Sequence, residues 1–149
     1  MISSLRDCPE MVKPVANFVI AYLEKAEFAK DMPIECDTLC RFLDRTTETM
    51  DVEVLFSVGE DGAINGVIGV YVDELPFNSF LWGFDLFFAA TNPIAAKTIV
   101  DRALNWLRNF DRVIGATFGI NLGIDNDRAS RFLCRMGLEE TGKIFVWRK

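Results

Sequence analysis

The sequence predicts a single α/β domain in which about four helices flank a mixed, mostly antiparallel sheet. The chain has 149 residues, the length of one globular domain, and half of them are hydrophobic. Segments of alternating hydrophobicity, typical of strands, are interspersed with segments of helical period. One long helix joins two strands in a crossover, which predicts that these two strands are parallel. We therefore expect one domain spanning residues 1–149.

The N-terminal third predicts one short strand and two helices. Residues 2–6 fit a first strand. Asp7 and Glu10 have the spacing of a helix capping box, and apolar side chains recur at helical intervals after them. Pro14 either kinks this first helix or marks its true start. A second helix is expected over residues 33–48.

The period then changes from helical to alternating. Residues 52–58 and 64–72 flank the turn sequence Gly-Glu-Asp-Gly, which predicts a β-hairpin. Residues 75–79 predict a loop. Residues 80–90 are nearly continuous in apolar character, which is typical of a strand buried on both faces at the centre of a sheet. Four large side chains alternate along this strand and are expected to share one core-facing side, with a substrate pocket as the alternative: Trp82, Phe84, Leu86 and Phe88.

The C-terminal third predicts two helices and two further strands. Asn92, followed by Pro, predicts the start of a long helix, because Asn caps helices and Pro is favoured at the first helical position. Residues 113–120 predict the next strand. Asp125 or Asn126 is expected to cap a last helix, and Gly137 stands where a left-handed C-terminal residue is favoured.

Composition excludes several classes of function. The chain contains no His, which removes Ser–His and Cys–His nucleophile pairs and His-ligated metals. A net charge of -6 disfavours nucleic acid and anionic membranes as partners. No apolar stretch reaches the roughly 18 residues of a membrane span, and charges at the N-terminus do not fit a signal peptide, so we expect a cytoplasmic protein. Four cysteines without a C-x-x-C pair predict reduced thiols and no metal site: Cys8, Cys36, Cys40 and Cys134.

The order of elements, closed by a predicted strand at 143–147, resembles that of the GNAT family of acetyl-coenzyme A (acetyl-CoA) dependent N-acetyltransferases. The resemblance covers nearly the whole chain. In the last predicted helix, Asn126, Ala129 and Gly137 are spaced like the family's N-x-x-A block and the Gly that precedes Phe or Leu. The resemblance implies the GNAT fold, with a central parallel pair of strands splayed apart.

The family's cofactor motif is Gln or Arg, two residues, Gly, one residue, then Gly or Ala. It lies between the central strand and the long helix, where N–H groups and the positive helix end hold the pyrophosphate. The motif aligns with residues 91–96, where Ala96 matches it. Thr91 stands in place of Gln or Arg, Ile94 stands in place of Gly, and Pro93 carries no N–H.

The resemblance implies transfer of an acetyl group from acetyl-CoA to a primary amine of a small molecule or a protein. It implies a role for several residues: the backbone at Phe88 and Ala90 would hold the pantetheine arm, Ile94, Ala95, Ala96 and Lys97 would meet the diphosphate, and Asn126 would fix the thiol end.

Asp85 is the candidate general base, because it is the single charge inside an apolar strand. Burying it unpaired is costly, so it should be paired, line a cleft or carry a raised pKa. A structural ion pair with an Arg or an exposed position is the alternative reading. Glu74 is a second candidate base. The family's usual acid is a Tyr at the position of Leu133 here, which leaves Cys134, water or another group.

Charge is unevenly distributed along the chain. Residues 1–90 carry a net charge of -10 and residues 91–149 a net charge of +4. The basic part would suit an anionic cofactor and the acidic part an amine acceptor. Three arginines at helical spacing either meet a coenzyme 3′-phosphate or form a solvated face: Arg128, Arg131 and Arg135.

Two other functional classes stay open at this point. One is a non-enzymatic member of the same fold, resembling the GNAT-like proteins encoded by tailed bacteriophages. The other is an unrelated α/β binding module. The acceptor is not encoded in any motif, and a homodimer stays open as well.

Overall fold

The computed structural model describes residues 1–26, 33–119 and 126–141, with only the backbone described at Asn126. The strands are β1 (Ile2–Ser4), β2 (Val52–Val58), β3 (Ile64–Glu74), β4 (Leu81–Ala90) and β5 (Val113–Thr117). The helices are α1 (Val12–Leu23), α2 (Cys36–Glu48), α3 (Pro93–Leu107) and α4 (Asn126–Arg135), and a 3₁₀ turn, Pro9–Met11, precedes α1.

The five strands form one mixed sheet in the order β1-β2-β3-β4-β5. The first four pair antiparallel, and β4 pairs parallel with β5. The parallel pairing joins Leu81–Phe84 to Val113–Thr117, whereas β4 continues to Ala90. The predicted mixed sheet and the splayed parallel pair are therefore confirmed, and beyond Phe84 one edge of β4 is left without β5.

Hydrophobic clusters pack on both faces of the sheet, and their burial stabilises the fold. Helices α1 and α2 cover one face, with a cluster that includes Val15, Ala16, Val19, Leu43, Val54, Phe56 and Val67. Helix α3 covers the other face, with a cluster of Leu55, Ile68, Val70, Ile99, Val100 and Ala103.

The prediction that residues 80–90 form a central strand buried on both faces is wrong in its start, its place in the sheet and its burial. The strand begins at Leu81, and β3 rather than β4 lies in the middle of the described sheet. Most residues of β4 are half-buried. The physical reason is the short contact with β5: within the described part of the chain, the second half of β4 faces a cleft on that side and pairs with no strand there.

A β-bulge at Leu86 also divides the row of large side chains on β4. The register between β3 and β4 shifts by one residue, so Leu86 has no partner on β3. One extra residue reverses the alternation of faces. Phe84 stacks on Tyr71, whereas Phe88 packs with the α3 cluster. The prediction that these residues and Trp82 share one core-facing side is therefore wrong.

Two helix-end signals are confirmed. Asn92 caps α3, since its Oδ1 accepts a hydrogen bond from the N–H of Ala95 at 2.9 Å, and Pro93 is the first helical residue. Gly137 has a φ of +88° just after α4. In this left-handed conformation the N–H groups of Gly137 and Leu138 donate to the carbonyls of Cys134 and Leu133, at 3.0 and 3.1 Å.

The start of the N-terminal helix differs from the prediction. The capping box expected of Asp7 and Glu10 does not form: the 3₁₀ turn intervenes, and no side chain caps it or α1. Pro14 lies in the first turn of α1, where its missing N–H removes no helical hydrogen bond, so it marks a helix start and not a kink. Helix α2 begins at Cys36, later than predicted.

Several predictions concern residues outside the described part of the chain. These are the strand at 143–147, residue 120 of the strand predicted at 113–120, and Asp125 as a helix cap. Within the described residues that strand ends at Thr117, earlier than predicted, because Phe118 and Gly119 follow it as a loop. Asn126 is the first helical residue of α4 rather than its cap. Among the helices that the structure describes, none is long and apolar enough to cross a membrane.

Candidate functional site

A cleft of about 570 Å³ opens where β4 and β5 part. Its walls come from the second half of β4, the start of α3, the residues that follow β5, and helices α1 and α4. Most of its lining is apolar and aromatic, which is typical of small-molecule sites. The aromatic and aliphatic side chains include Phe18, Leu86, Phe88, Phe118, Phe132 and Leu133.

The main chain of β4 directs hydrogen-bonding groups into this cleft. The N–H of Thr91 donates to the carbonyl of Asn65 at 2.9 Å, so the main-chain groups of Thr91 point towards the β3 side of the strand. Main-chain groups of an antiparallel strand point alternately to its two edges. Phe88 and Ala90 therefore direct their N–H and C=O groups towards the cleft, and the hydroxyl of Tyr22 donates to the Ala90 carbonyl at 3.3 Å.

Asp85 lies where the parallel pairing ends and lines the cleft. Its Oδ1 accepts a hydrogen bond from the N–H of Gly119 at 2.7 Å. Burial raises the pKa of the Asp85 carboxyl above its usual range, and hydrogen bonds from Gly119 and from its own N–H partly oppose this rise. Of the settings expected for Asp85, the structure gives it the cleft and the raised pKa.

The start of α3 lies at one end of the cleft, and most of the polar groups there already have partners. Ala95 and Ala96 are buried, and their N–H groups donate to Oδ1 and to the carbonyl of Asn92. The side chain of Ile94 is 80 % exposed. Lys97 is exposed, and its Nζ lies 2.6 Å from a carboxylate oxygen of Asp101.

The other residues considered as a base, an acid or a contact for the thiol do not all lie in the cleft. Glu74 is exposed and pairs with Arg112 at 2.9 Å, away from the cleft. Leu133 lines the cleft where the GNAT family has Tyr, whereas Cys134 is exposed on α4 and is not part of the lining. The side chain of Asn126 lies outside the described residues.

Among the described residues, two cations line the cleft: Lys25, in the turn after α1, and Arg128, on α4. The other two arginines predicted along one face of α4, Arg131 and Arg135, are exposed. Arg128 is exposed as well, but of these three arginines it is the one that lines the cleft.

Tyr22 and Phe18 are site residues that sequence reasoning missed. Both lie on the apolar side of α1, where a helical pattern predicts core packing, and their rings stack at 6.4 Å. In the structure they line the cleft. The one available signal was chemical, because a half-buried Tyr usually finds a hydrogen-bond partner for its hydroxyl.

Neither a family model nor a curated protein matches the chain. Solved structures do match over its whole length, and the fold is that of the GNAT-type acetyltransferases. AAC(6')-Iy, in complex with the bisubstrate analogue CoA-S-monomethyl-acetylneamine, is 12 % identical with a TM-score of 0.72 and 97 % of its chain covered. The aminoglycoside 6'-N-acetyltransferase AAC(6')-Ih from Acinetobacter baumannii is 11 % identical, with a TM-score of 0.69 and 97 % covered.

A third similar structure is the ribosomal-protein-alanine N-acetyltransferase from Brucella melitensis biovar Abortus 2308. It is 13 % identical, with a TM-score of 0.69, 100 % of this chain covered and 98 % of that chain covered. At these identities the likeness establishes the fold, and function has to be argued from the site itself.

Proposed function

We propose that the protein is an N-acetyltransferase that moves an acetyl group from a pantetheine thioester such as acetyl-CoA to a primary amine. One observation carries this proposal: β4 and β5 part at Asp85, and the main chain of Phe88 and Ala90 faces the cleft that results. An extended arm with amide groups can bond such an edge as a further strand would. The complex of AAC(6')-Iy with a CoA-containing bisubstrate analogue supports the same use of this fold.

Asp85 serves as the proton acceptor in this proposal. A primary amine has a pKa near 10 and is mostly protonated at neutral pH, so it must lose a proton before it attacks the thioester carbonyl. A carboxylate whose pKa is raised accepts that proton, directly or through water, more readily than an ordinary one. The neutral amine attacks the thioester carbonyl, the C–N bond forms and the C–S bond breaks. The nitrogen then loses its second proton, which passes through water to the departing thiolate, and Asp85 releases the first proton to solvent.

The rest of the rate enhancement comes from positioning. The apolar walls exclude water, and the main-chain groups of β4 hold the donor so that its carbonyl stands near Asp85. The chain has no His to supply a second acid or base. We propose that the acceptor is a positively charged amine, because residues 1–90 carry a net charge of -10 and attract cations.

The test is an acetyl-transfer assay with mass-spectrometric detection of the acetylated amine. Acetyl-CoA is supplied with a panel of polyamines, an aminoglycoside and short peptides with free N-termini. Asp85→Asn should lower the rate by about 10²- to 10⁴-fold, the usual contribution of a general base. Asp73→Asn is the matched control, because Asp73 is an exposed strand residue whose Oδ1 also accepts a backbone N–H, outside the cleft.

The competing proposal is a catalytically inactive GNAT-fold protein with a structural or interaction role. The observation that favours it is the set of polar groups at the start of α3 that already have partners. If no amine in the panel is acetylated and neither acetyl-CoA nor CoA raises the melting temperature, this second proposal replaces the first.

A further inference from the structure

The first turn of α3 offers few donors to an anion. The first four N–H groups of a helix have no partner within it, and these are the groups that bind phosphate. In α3 they belong to residues 92–95. Pro93 has no N–H, and that of Ala95 is taken by the side chain of Asn92 at 2.9 Å. Within the described residues, the N–H groups of Asn92 and Ile94 remain.

The side chains at this helix end are also poorly suited to a diphosphate. Ile94 projects an exposed apolar side chain where the GNAT motif has Gly, whose lack of a side chain lets phosphate approach the main chain. The nearest cation on the helix, Lys97, is 2.6 Å from Asp101, which balances its charge. The diphosphate of CoA therefore does not fit the start of α3 as it stands.

The part of the cleft along β4, in contrast to the start of α3, is well suited to one portion of CoA, the pantetheine arm. Among the residues that the structure describes, no strand pairs with this edge of β4 at Phe88 and Ala90, and the walls are apolar. This lining suits a chain that alternates amides and methylenes, as pantetheine does. The two ends of the cleft therefore differ in the ligand groups that they can hold.

We infer that the cleft recognises its donor by the pantetheine arm and draws no affinity from the nucleotide diphosphate of CoA. This inference rests on the proposed function and narrows its donor class to S-acyl pantetheines, of which acetyl-CoA is one. It rests on two sets of observations, the occupied donors at α3 and the open edge of β4.

The test compares the binding of CoA and of pantetheine to the full chain by calorimetric titration. We expect dissociation constants that differ by less than about fivefold, since the shared arm supplies the contacts. If CoA binds about fivefold tighter or more, the inference is overturned while the proposed function stands. If neither ligand binds at millimolar concentration, both are overturned.

A second measurement uses Asn92→Gly, which frees the N–H of Ala95 and leaves a residue that helix N-caps tolerate. We expect CoA to bind about tenfold tighter to this variant, because a phosphate gains a charge-assisted hydrogen bond. Pantetheine binding should not change. The control is Asn78→Gly, which loses a similar side-chain bond to the N–H of Phe80 in a loop outside the cleft.

Two results of this experiment overturn the inference. Weaker binding of CoA to Asn92→Gly means that the Asn92 side chain already holds the nucleotide. Unchanged binding of CoA means that the cap is not what keeps the diphosphate away from the helix. In either case the pantetheine titration reports separately on the part of the cleft along β4.

Discussion

Asp85 is the residue on which the proposed chemistry depends, and its setting gives it opposite effects on activity and on stability. The fold places a carboxyl where burial raises its pKa. The folded protein therefore binds this proton more tightly than the unfolded chain does. Stability linked to Asp85 falls as the pH rises from the unfolded pKa through the raised folded pKa, because the charged form is the costly one.

We expect Asp85→Asn to be as stable as the wild type or more stable at neutral pH. An amide oxygen still accepts the N–H of Gly119, and it carries no charge to bury. The gain should disappear below about pH 4, where the wild-type carboxyl is protonated in both states. Melting curves at several pH values check this, and a loss of stability at pH 7 would contradict the assignment of burial as the cause of the shift.

The pH dependence of activity follows from the same shift. A base acts only when it is deprotonated, so the rate should fall on the acid side through the raised pKa of Asp85. The midpoint of that limb should lie above the usual range of an Asp. A pH–rate profile of kcat/KM measures this, and an acid limb at an ordinary Asp pKa would argue that another group takes the proton.

At the scale of elements, the parallel contact of β4 with β5 determines where the cleft opens. Gly115 on β5 lies under the ring of Trp82, and a Cβ added there would come within 2.5 Å of ring atoms. The indole N–H of Trp82 also donates to Thr117 Oγ1 at 2.8 Å. This pairing therefore has little room for any side chain at Gly115.

We expect Gly115→Ala to destabilise the protein by about 1–3 kcal/mol, the usual range for overpacking. The neighbouring Ile114 is 56 % exposed, so Ile114→Ala should change stability by no more than about 0.5 kcal/mol. Denaturant unfolding of both variants measures the difference. Equal stability of the two would mean that the β4–β5 contact is looser than the structure indicates.

The end of α4 is a second element whose geometry depends on one residue. Gly137 has a φ of +88° and no atom near its missing Cβ, so a side chain there meets backbone strain alone. Gly137→Ala should cost about 1–2 kcal/mol. Gly62 in the β2–β3 turn, with a φ of +79°, is the matched comparison.

The two glycine variants should separate stability from binding. Gly62→Ala should lower stability to a similar extent and leave ligand binding unchanged. Gly137→Ala lies at the end of the helix that carries Ala129 and Phe132 into the cleft, so it should also weaken binding. Thermal unfolding and a CoA titration of both variants check this, and identical binding by the two would contradict a role of α4 in the site.

The sequence predicts most elements because their signals are local. Asn92 followed by Pro93 marks the start of α3, and Gly137 marks the end of α4. The bulge at Leu86 escapes prediction because it depends on pairing between two strands and not on the residues of β4 alone. Tyr22 escapes for a similar reason, since packing between α1 and β4 decides whether an apolar helix face covers a core or a cleft.

At the scale of the whole molecule, the absence of His and the uneven charge constrain the proposed chemistry. The chain offers Asp85 as the base, and residues 91–149, which supply helices α3 and α4 beside the cleft, carry a net charge of +4. A basic part of this kind attracts an anionic donor at long range. The first turn of α3 nevertheless has few N–H donors left for a diphosphate. The charge of this part of the chain therefore favours the approach of an anionic donor, whereas the helix start offers its diphosphate few hydrogen bonds.

The central claim is that the cleft between β4 and β5 holds the thioester donor. The most direct test is to titrate pantetheine into a variant whose cleft is filled by a large side chain. Ala129 lines the cleft from α4, so Ala129→Trp should fill it, whereas Cys134→Trp adds the same side chain at an exposed position of the same helix. We expect Cys134→Trp to bind as the wild type does and Ala129→Trp to bind at least about tenfold more weakly. Equal binding by Ala129→Trp and the wild type would contradict the claim.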